Sequence, residues 1–248
     1  MALTMIQRRR AQLLAGRAAT QAAGPAGAPT GAAATEYELL RAALGVDLRR
    51  LHEIQSIESK VALKRELLPR YMPWVGGVLA ADAGAQDDVV AWMLVWLIDC
   101  EAFSLAMPLI RYVLRHDLNL PERIRRTAPT YISEEIAESA LKRLGQEPPM
   151  DADDAANMVR RLDDIADLVA GADIFDEVRA KLEKAQGLAA VAAAASIGAD
   201  ADGPAGALAA MQDRAIAHLD RALELNPKAG VKQVRDRIRK ARSAEDQA

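Results

Sequence analysis

Asp47 and the run Glu58-Ser59-Lys60 have the residue types of a metal-dependent nuclease site. In an Asp…Glu-x-Lys site, the carboxylates hold a divalent ion beside the scissile phosphate. That pattern works on paired strands, where the Glu and the Lys project from one face. The surrounding sequence here is helical, and helix positions two apart point in different directions. We therefore expect no catalytic residue and no bound metal, and Mg²⁺ is a cofactor only if the chain itself cleaves DNA.

The run Asp163-Asp164-Ile165-Ala166-Asp167 resembles the aspartate-rich motif with which helical isoprenoid synthases bind diphosphate through magnesium. The sequence lacks a convincing second motif of this kind, and aromatic residues, at 4%, are too few to line a carbocation pocket. A solvated helix face is the better interpretation. No glycine-rich phosphate loop is present, so no ATPase motif can be identified.

Clusters of basic residues remain as candidates for chemistry, and the ligand that suits them is a polyanion. Clustered guanidinium groups gain binding free energy on a DNA duplex from counterion release and from bidentate phosphate contacts. No helix-turn-helix, zinc-finger or RNA-binding motif accompanies them, and a solvated helix surface is the alternative interpretation. The predicted nucleic-acid-binding residues are Arg8, Arg9, Arg10, Arg49, Arg50, Lys64, Arg65, Arg123, Arg125 and Arg126.

A second basic cluster lies at the end of the chain, between Lys228 and Arg242, where seven bases accompany one acid, Asp236. The cluster suits DNA binding, but it equally suits a helix C-terminus or an acidic protein partner. These alternatives stay open at the level of the sequence.

The overall charge argues against a uniformly basic DNA-binding protein, because the net charge is -3 and the pI is about 5.7. The distribution is polarised, with ten acids and two bases between Glu147 and Glu177. A single cysteine, Cys100, excludes an intrachain disulfide and fits a reducing cytosol. The apolar run Val89–Ile98 is too short to span a bilayer, so we expect a buried helix and no membrane partner.

An alanine-rich composition with few β-branched or aromatic segments predicts an all-α fold of stacked helical hairpins. A long amphipathic helix is expected from Thr35 to Leu68, ended by Pro69. A helix pair is expected over residues 86–99 and 103–116. Further helices are expected from a Ser133 N-cap, from Asp151 and near Phe175. The apolar stripe of the long helix consists of Leu40, Leu44, Leu48, Leu51, Ile54, Ile57, Val61 and Leu68.

The predicted domains follow the breaks in composition. Residues 1–34 form a disordered basic arm and linker, because this alanine- and glycine-rich segment offers little surface to bury. Residues 35–146 form an N-terminal and central helical domain. Residues 150–242 form a helical hairpin region that is tetratricopeptide-like from Ala215 to Pro227. Residues 243–248 form a tail.

The order of motifs between residues 64 and 129 resembles that of the gpM-like small terminase subunits of temperate, contractile-tailed phages, which are often labelled the endonuclease subunit. The marker segments are Lys64–Trp74, Gly84–Asp88 and Arg125–Pro129. Weaker likeness continues through Asp176–Leu182 and Ala222–Leu225. The resemblance is densest from Tyr37 to about Lys142.

The resemblance implies a subunit that binds the cohesive-end site of concatemeric double-stranded phage DNA in the cytoplasm of the bacterial host. With the terminase large subunit, which carries the ATPase, such a subunit directs cleavage and packaging into the procapsid. The family also implies a homo-oligomer, often a ring. Two alternatives stay open: the chain is itself the metal-dependent endonuclease, or it is a tetratricopeptide-like adaptor without a nucleic-acid role.

Overall fold

A computed structural model of the chain describes residues 4–24, 27–198 and 206–245. Within these ranges the secondary structure is helical and no strand occurs, so the predicted all-α class is confirmed. None of the described helices is long and apolar enough to cross a bilayer. The helices are α1 (Met5–Ala23), α2 (Gly31–Glu53), α3 (Ile57–Ala81), α4 (Asp88–Asp99), α5 (Phe103–Arg115), α6 (Ala128–Leu144), α7 (Ala152–Leu168), α8 (Asp176–Gly198), α9 (Ala207–Leu225) and α10 (Lys232–Glu245).

The chain divides into two compact units, Met1–Ala128 and Pro129–Ala248. The sequence predicted a later domain boundary, at the proline pair 148–149. The structure differs because α6 makes ion pairs with α8 of the second unit: the Lys181 ammonium donates to Glu134 at 3.0 Å and to Glu138 at 2.5 Å.

Helix α4 lies at the centre of the first unit, as its apolar sequence predicts. Met93, Leu94 and Leu97 have no exposed surface, and Trp96 is 1% exposed. The Asp87 carboxylate caps the helix by accepting a hydrogen bond from the Val90 amide at 3.0 Å. An element that is apolar on every side needs neighbours all round, and α2, α3 and α5 each pack against α4.

The long helix predicted from Thr35 to Leu68 is two helices, and the predicted end at Pro69 is wrong. The chain leaves α2 after Glu53, and the Ser56 hydroxyl starts α3 by accepting a hydrogen bond from the Ser59 amide at 3.3 Å. Helix α3 then continues through Pro69 and Pro73. A proline inside a helix costs about 3 kcal/mol, and the fully buried Tyr71 and Trp74 show the packing that offsets this cost.

The predicted disordered arm is replaced in the structure by α1. Its start is a capping box in which the Thr4 hydroxyl accepts from the Gln7 amide at 3.3 Å and the Gln7 side chain accepts from the Thr4 amide at 2.8 Å. Four buried alanines and Leu14 form its packed face. The composition misleads here because alanine and glycine, poor at filling a core, let two helices approach closely. Residues 1–3 and 25–26 of the predicted arm lie outside the described residues.

Helix α1 packs on α3 at Gly77, which is buried. A Cβ at this position would overlap the carbonyl oxygen of Gln12 and lie 2.6 Å from the Ala15 Cβ. Only a residue without a side chain therefore permits this helix contact.

The second unit is built around α8, which packs against both α7 and α9, while α9 packs against α10. Gly187 of α8 again allows a close contact, since a Cβ there would lie 2.6 Å from Leu219. The predicted Asp151 N-cap is confirmed: its carboxylate accepts from the Asp154 amide at 2.8 Å. The predicted Ser133 N-cap is wrong, because α6 already begins at Ala128 and Ser133 is buried inside it.

We predict that Gly77→Ala destabilises the first unit by about 1–3 kcal/mol, because the added methyl group overpacks the contact between α1 and α3. Thermal unfolding followed by circular dichroism and the rate of tryptic cleavage in α1 measure the effect. Gly76→Ala is the matched control, since the nearest atom to its new methyl group is the flexible Gln12 Nε2 at 3.5 Å. The control should gain up to about 1 kcal/mol from helix propensity. Equal melting temperatures for the two variants would contradict the docking of α1.

Candidate nucleic-acid interface

The first candidate surface is the arginine-rich side of α1. Arg8, Arg9, Arg10 and Arg17 are all exposed. None of the four has an ion-pair partner within residues 4–24, 27–198 and 206–245. Their positive charge is therefore available to a ligand from solvent.

An open groove of about 760 Å³ runs along this side of α1. Arg9 and Arg17 lie on its α1 wall, and Gly76 and Gly77 of α3 contribute to its lining. The small residues that dock α1 thus also keep the groove open beside the two guanidinium groups. Arg17 was not among the predicted binding residues. Arg17 lies seven positions after Arg10, a spacing that places both residues on one side of a helix. This spacing would have indicated Arg17 if the segment had been predicted to be helical.

Arg50, also predicted to bind DNA, is exposed but forms an ion pair within the protein. Its Nη1 lies 3.2 Å from the carboxylate of Asp47, which is 2% exposed. The same carboxylate accepts a hydrogen bond from the Tyr71 hydroxyl at 2.6 Å, and Arg70 Nη1 approaches it to 3.5 Å. Burial and then the bond to Asp47 raise the pKa of Tyr71 above its usual range. The neighbouring Arg49 is exposed and has no partner among the described residues.

These contacts also explain what Asp47 does. A carboxylate that receives a tyrosine hydroxyl and two guanidinium groups has little capacity left to hold a divalent ion. Its candidate partners Glu58 and Lys60 lie in the first turn of α3. Within the part of the chain that the structure describes, no group of three His, Cys, Asp or Glu residues is arranged to hold a metal.

Lys64 and Arg65 attach α3 to the end of α4. The Lys64 ammonium pairs with the Asp99 carboxylate, and the Arg65 Nη2 donates to the Cys100 carbonyl at 3.2 Å. Both carbonyl and carboxylate lie at a helix C-terminus, where positive side chains are favourable. These two predicted binding residues therefore have structural partners.

The third predicted cluster lies on the segment between α5 and α6. The Arg123 guanidinium lies over the ring of Trp92, 4.5 Å from its centroid. Arg125 and Arg126 are exposed on the same segment. The prediction that the run Val89–Ile98 is buried is wrong for Trp92 of that run, which is only partly buried because its ring faces a cleft.

The basic cluster of α10 faces α9, so part of its charge is neutralised. Arg235 and Arg239 pair with Asp220 at 3.0 Å and 2.6 Å, and Arg242 pairs with Asp213 at 3.0 Å. Asp236 and then Asp220 raise the pKa of Arg235 through their hydrogen bonds. These ion pairs hold α9 and α10 together, a role that was not among the alternatives left open by the sequence.

The aspartate-rich run of α7 also has a structural role. The Asp163 carboxylate pairs with Arg214 of α9 and accepts a hydrogen bond from the Gln186 amide of α8 at 3.1 Å. These contacts join three helices of the second unit. They match neither a diphosphate site nor the fully solvated face that the sequence predicted.

Comparison with known proteins identifies related chains. The family model described as phage small terminase subunit matches residues 41–177. The "Terminase, endonuclease subunit" of Escherichia phage P2 is 38% identical over 205 residues, which are 83% of this chain and 74% of that protein. The "Probable terminase, endonuclease subunit" of Haemophilus phage HP1 is 26% identical over 102 residues, 41% of this chain and 36% of that protein. No solved structure matches significantly.

We predict that Asp47→Ala lowers the free energy of unfolding by about 1–3 kcal/mol, because the buried Tyr71 hydroxyl loses its acceptor. Urea denaturation followed by tryptophan fluorescence measures the change. Glu53→Ala removes the same charge from an exposed position on the same helix, and it should stay within about 0.5 kcal/mol of the unmodified protein. If Asp47→Ala were as stable as this control, the carboxylate would not be a structural group.

Proposed function

Because the chain belongs to the phage small terminase subunit family, we propose that it is the non-catalytic DNA-recognition and assembly subunit of a terminase. In this role it binds the cohesive-end site of concatemeric phage DNA in the host cytoplasm. With the ATPase large subunit, it directs cleavage of that DNA and its packaging into the procapsid. We further propose that it acts as a homo-oligomer.

The observation that carries the proposal is the set of exposed arginines without internal partners. Arg8, Arg9 and Arg10 on α1, Arg49 on α2 and Arg125 before α6 meet this description within the described residues. All of them belong to the first unit. Binding them to phosphates releases condensed counterions, and no internal ion pair has to be broken first.

The charge of the second unit supports a protein partner there. Ten acids lie between Glu147 and Glu177, and Asp151, Asp153 and Asp154 at the start of α7 are exposed. Such a surface repels a phosphate backbone, whereas a basic protein surface complements it. We therefore propose that the second unit contacts the terminase large subunit, while the first unit contacts DNA.

The endonuclease activity is a second candidate, which the printed name of the phage P2 relative favours. Metal-dependent cleavage would need a carboxylate free to hold Mg²⁺ near the scissile phosphate. Asp47, the strongest sequence candidate, is committed to Tyr71 and Arg50. The contacts of this residue therefore favour the regulatory role over the catalytic one.

We predict that replacing Arg8, Arg9 and Arg10 together by alanine weakens duplex binding. Each lost phosphate contact removes about 0.9 from the slope of log K against log salt, so the slope should become shallower by about 2–3. Fluorescence anisotropy of a labelled duplex across a series of salt concentrations measures both affinity and slope.

A triple variant with the same charge change serves as its control. Lys142, Arg160 and Arg221 are exposed residues of the second unit, and their replacement by alanine should leave the slope nearly unchanged. Equal losses of duplex affinity in both variants would show that the effect depends on net charge alone. In that case α1 would not be part of the DNA interface. Failure of the unmodified protein to bind duplex at low salt would leave the adaptor alternative in its place.

For the catalytic candidate, we predict that the purified chain, incubated with cohesive-end DNA and Mg²⁺ but without a large subunit, leaves the DNA intact. Gel electrophoresis of end-labelled substrate measures this, with EDTA in a parallel reaction. Specific cleavage that EDTA abolishes would overturn the non-catalytic assignment and establish the endonuclease alternative.

A further inference from the structure

A second concave surface of the first unit lies between α2, α4 and the turn at residues 121–124. It is a cleft of about 430 Å³, a volume within the range of about 300–1,000 Å³ that is usual for small-ligand pockets. Leu44, Leu48 and Trp92 supply apolar surface, and Arg41 and Arg123 supply positive charge. The cleft is thus lined by aromatic and aliphatic side chains together with two guanidinium groups.

Trp92 is the distinctive residue of this cleft. Trp74 and Trp96 are 0% and 1% exposed, whereas Trp92 is only partly buried. Its ring is covered by the exposed guanidinium of Arg123 at 4.5 Å, a cation–π contact that a competing flat ligand can share or replace.

Hydrogen bonds within the turn that carries Arg123, and just before it, hold this turn in place. The Ile124 amide donates to the Pro121 carbonyl at 2.8 Å within the turn. Just before it, the Asn119 amide donates to Gln86 Oε1 at 2.8 Å, and Gln86 Nε2 donates back to the Asn119 carbonyl at 3.0 Å. Little conformational entropy therefore has to be lost when a ligand enters beside Arg123.

The charges around the cleft favour a base over a phosphate as its occupant. Asp88 and Glu122 also line the cleft, and Arg41 is paired with Asp88 at 2.8 Å. Carboxylates repel phosphate but accept hydrogen bonds from the exocyclic amino groups of bases. The exposed Arg49, which has no partner among the described residues, lies beside the cleft, since its Nη1 would be 3.8 Å from a Cβ on the lining residue Gly45.

We propose that this cleft binds one unpaired nucleobase of DNA, stacked on Trp92 beside Arg123, with the adjoining phosphate at Arg49. The proposal rests on the proposed DNA-binding function and specifies which form of DNA the first unit recognises. A base within a duplex cannot offer its face to a side chain, so the cleft requires a single-stranded end or an extruded nucleotide.

Three DNA probes of one sequence test the proposal: a 12-nucleotide single strand, a blunt duplex and a duplex with a single-stranded overhang. The unmodified protein should show quenching of tryptophan fluorescence with the single strand and the overhang, and it should bind the overhang more tightly than the blunt duplex. Since the other two tryptophans are buried, the quenching reports Trp92. Trp92→Leu should lose the overhang preference, a change of about 10-fold in affinity for one stacked base.

Trp92→Phe is the matched control, because it keeps an aromatic face and should retain most of the overhang preference while it loses the fluorescence signal. Circular dichroism melting checks that both variants fold. Blunt-duplex binding that depends on Arg8–Arg10, combined with no overhang preference and no effect of Trp92→Leu, would overturn the cleft proposal and leave the proposed function intact. Absence of binding to every probe would overturn both. Equal quenching by a free deoxynucleoside monophosphate at the same concentration would assign the cleft to free nucleotides instead.

Discussion

The buried carboxylate of Asp47 fixes the geometry on which the first unit depends. It ties α2 to α3 through the Tyr71 hydroxyl at 2.6 Å, in a region where an unpaired polar group would be costly. Because Asp47 lies between Leu44 and Leu48 on α2, the same bond sets the helix face that forms one wall of the cleft. The Asp47 carboxylate is of a type that often binds metals, but here it holds two helices together.

Internal pairing divides the basic residues into two classes with different roles. Lys64 and Arg65 hold the end of α4, and Arg50 binds Asp47, so their charge is already used within the fold. Arg49, one position from Arg50, has no partner among the described residues and remains exposed. Arg50 is also exposed, so the two residues differ in the ion pair with Asp47 and not in exposure. This division, rather than the number of cations, supports the proposed DNA-binding surface.

Small residues decide where the helices approach one another and where grooves remain. Gly77 admits the Gln12 backbone, and Gly187 admits Leu219 in the second unit. The groove beside α1 and the cleft beside α2 are both lined in part by glycine, at Gly76 and Gly45 respectively. The low aromatic content therefore does not indicate a poorly packed chain, because close backbone approach replaces bulky side chains in the helix contacts.

The sequence alone determined the helical class, the burial of the run Val89–Ile98 apart from Trp92, the Asp151 cap and the family resemblance, because periodicity, capping and motif order are local signals. It did not determine the break at Ser56 or the docking of α1. A single apolar stripe continues across the break, and alanine-rich segments look alike whether they pack or not. Only the tertiary structure decided which arginines have partners and that Trp92 faces a cleft. Pairing and exposure depend on residues distant in the chain, such as Tyr71 for Asp47 and Arg123 for Trp92, and no local pattern encodes those distances.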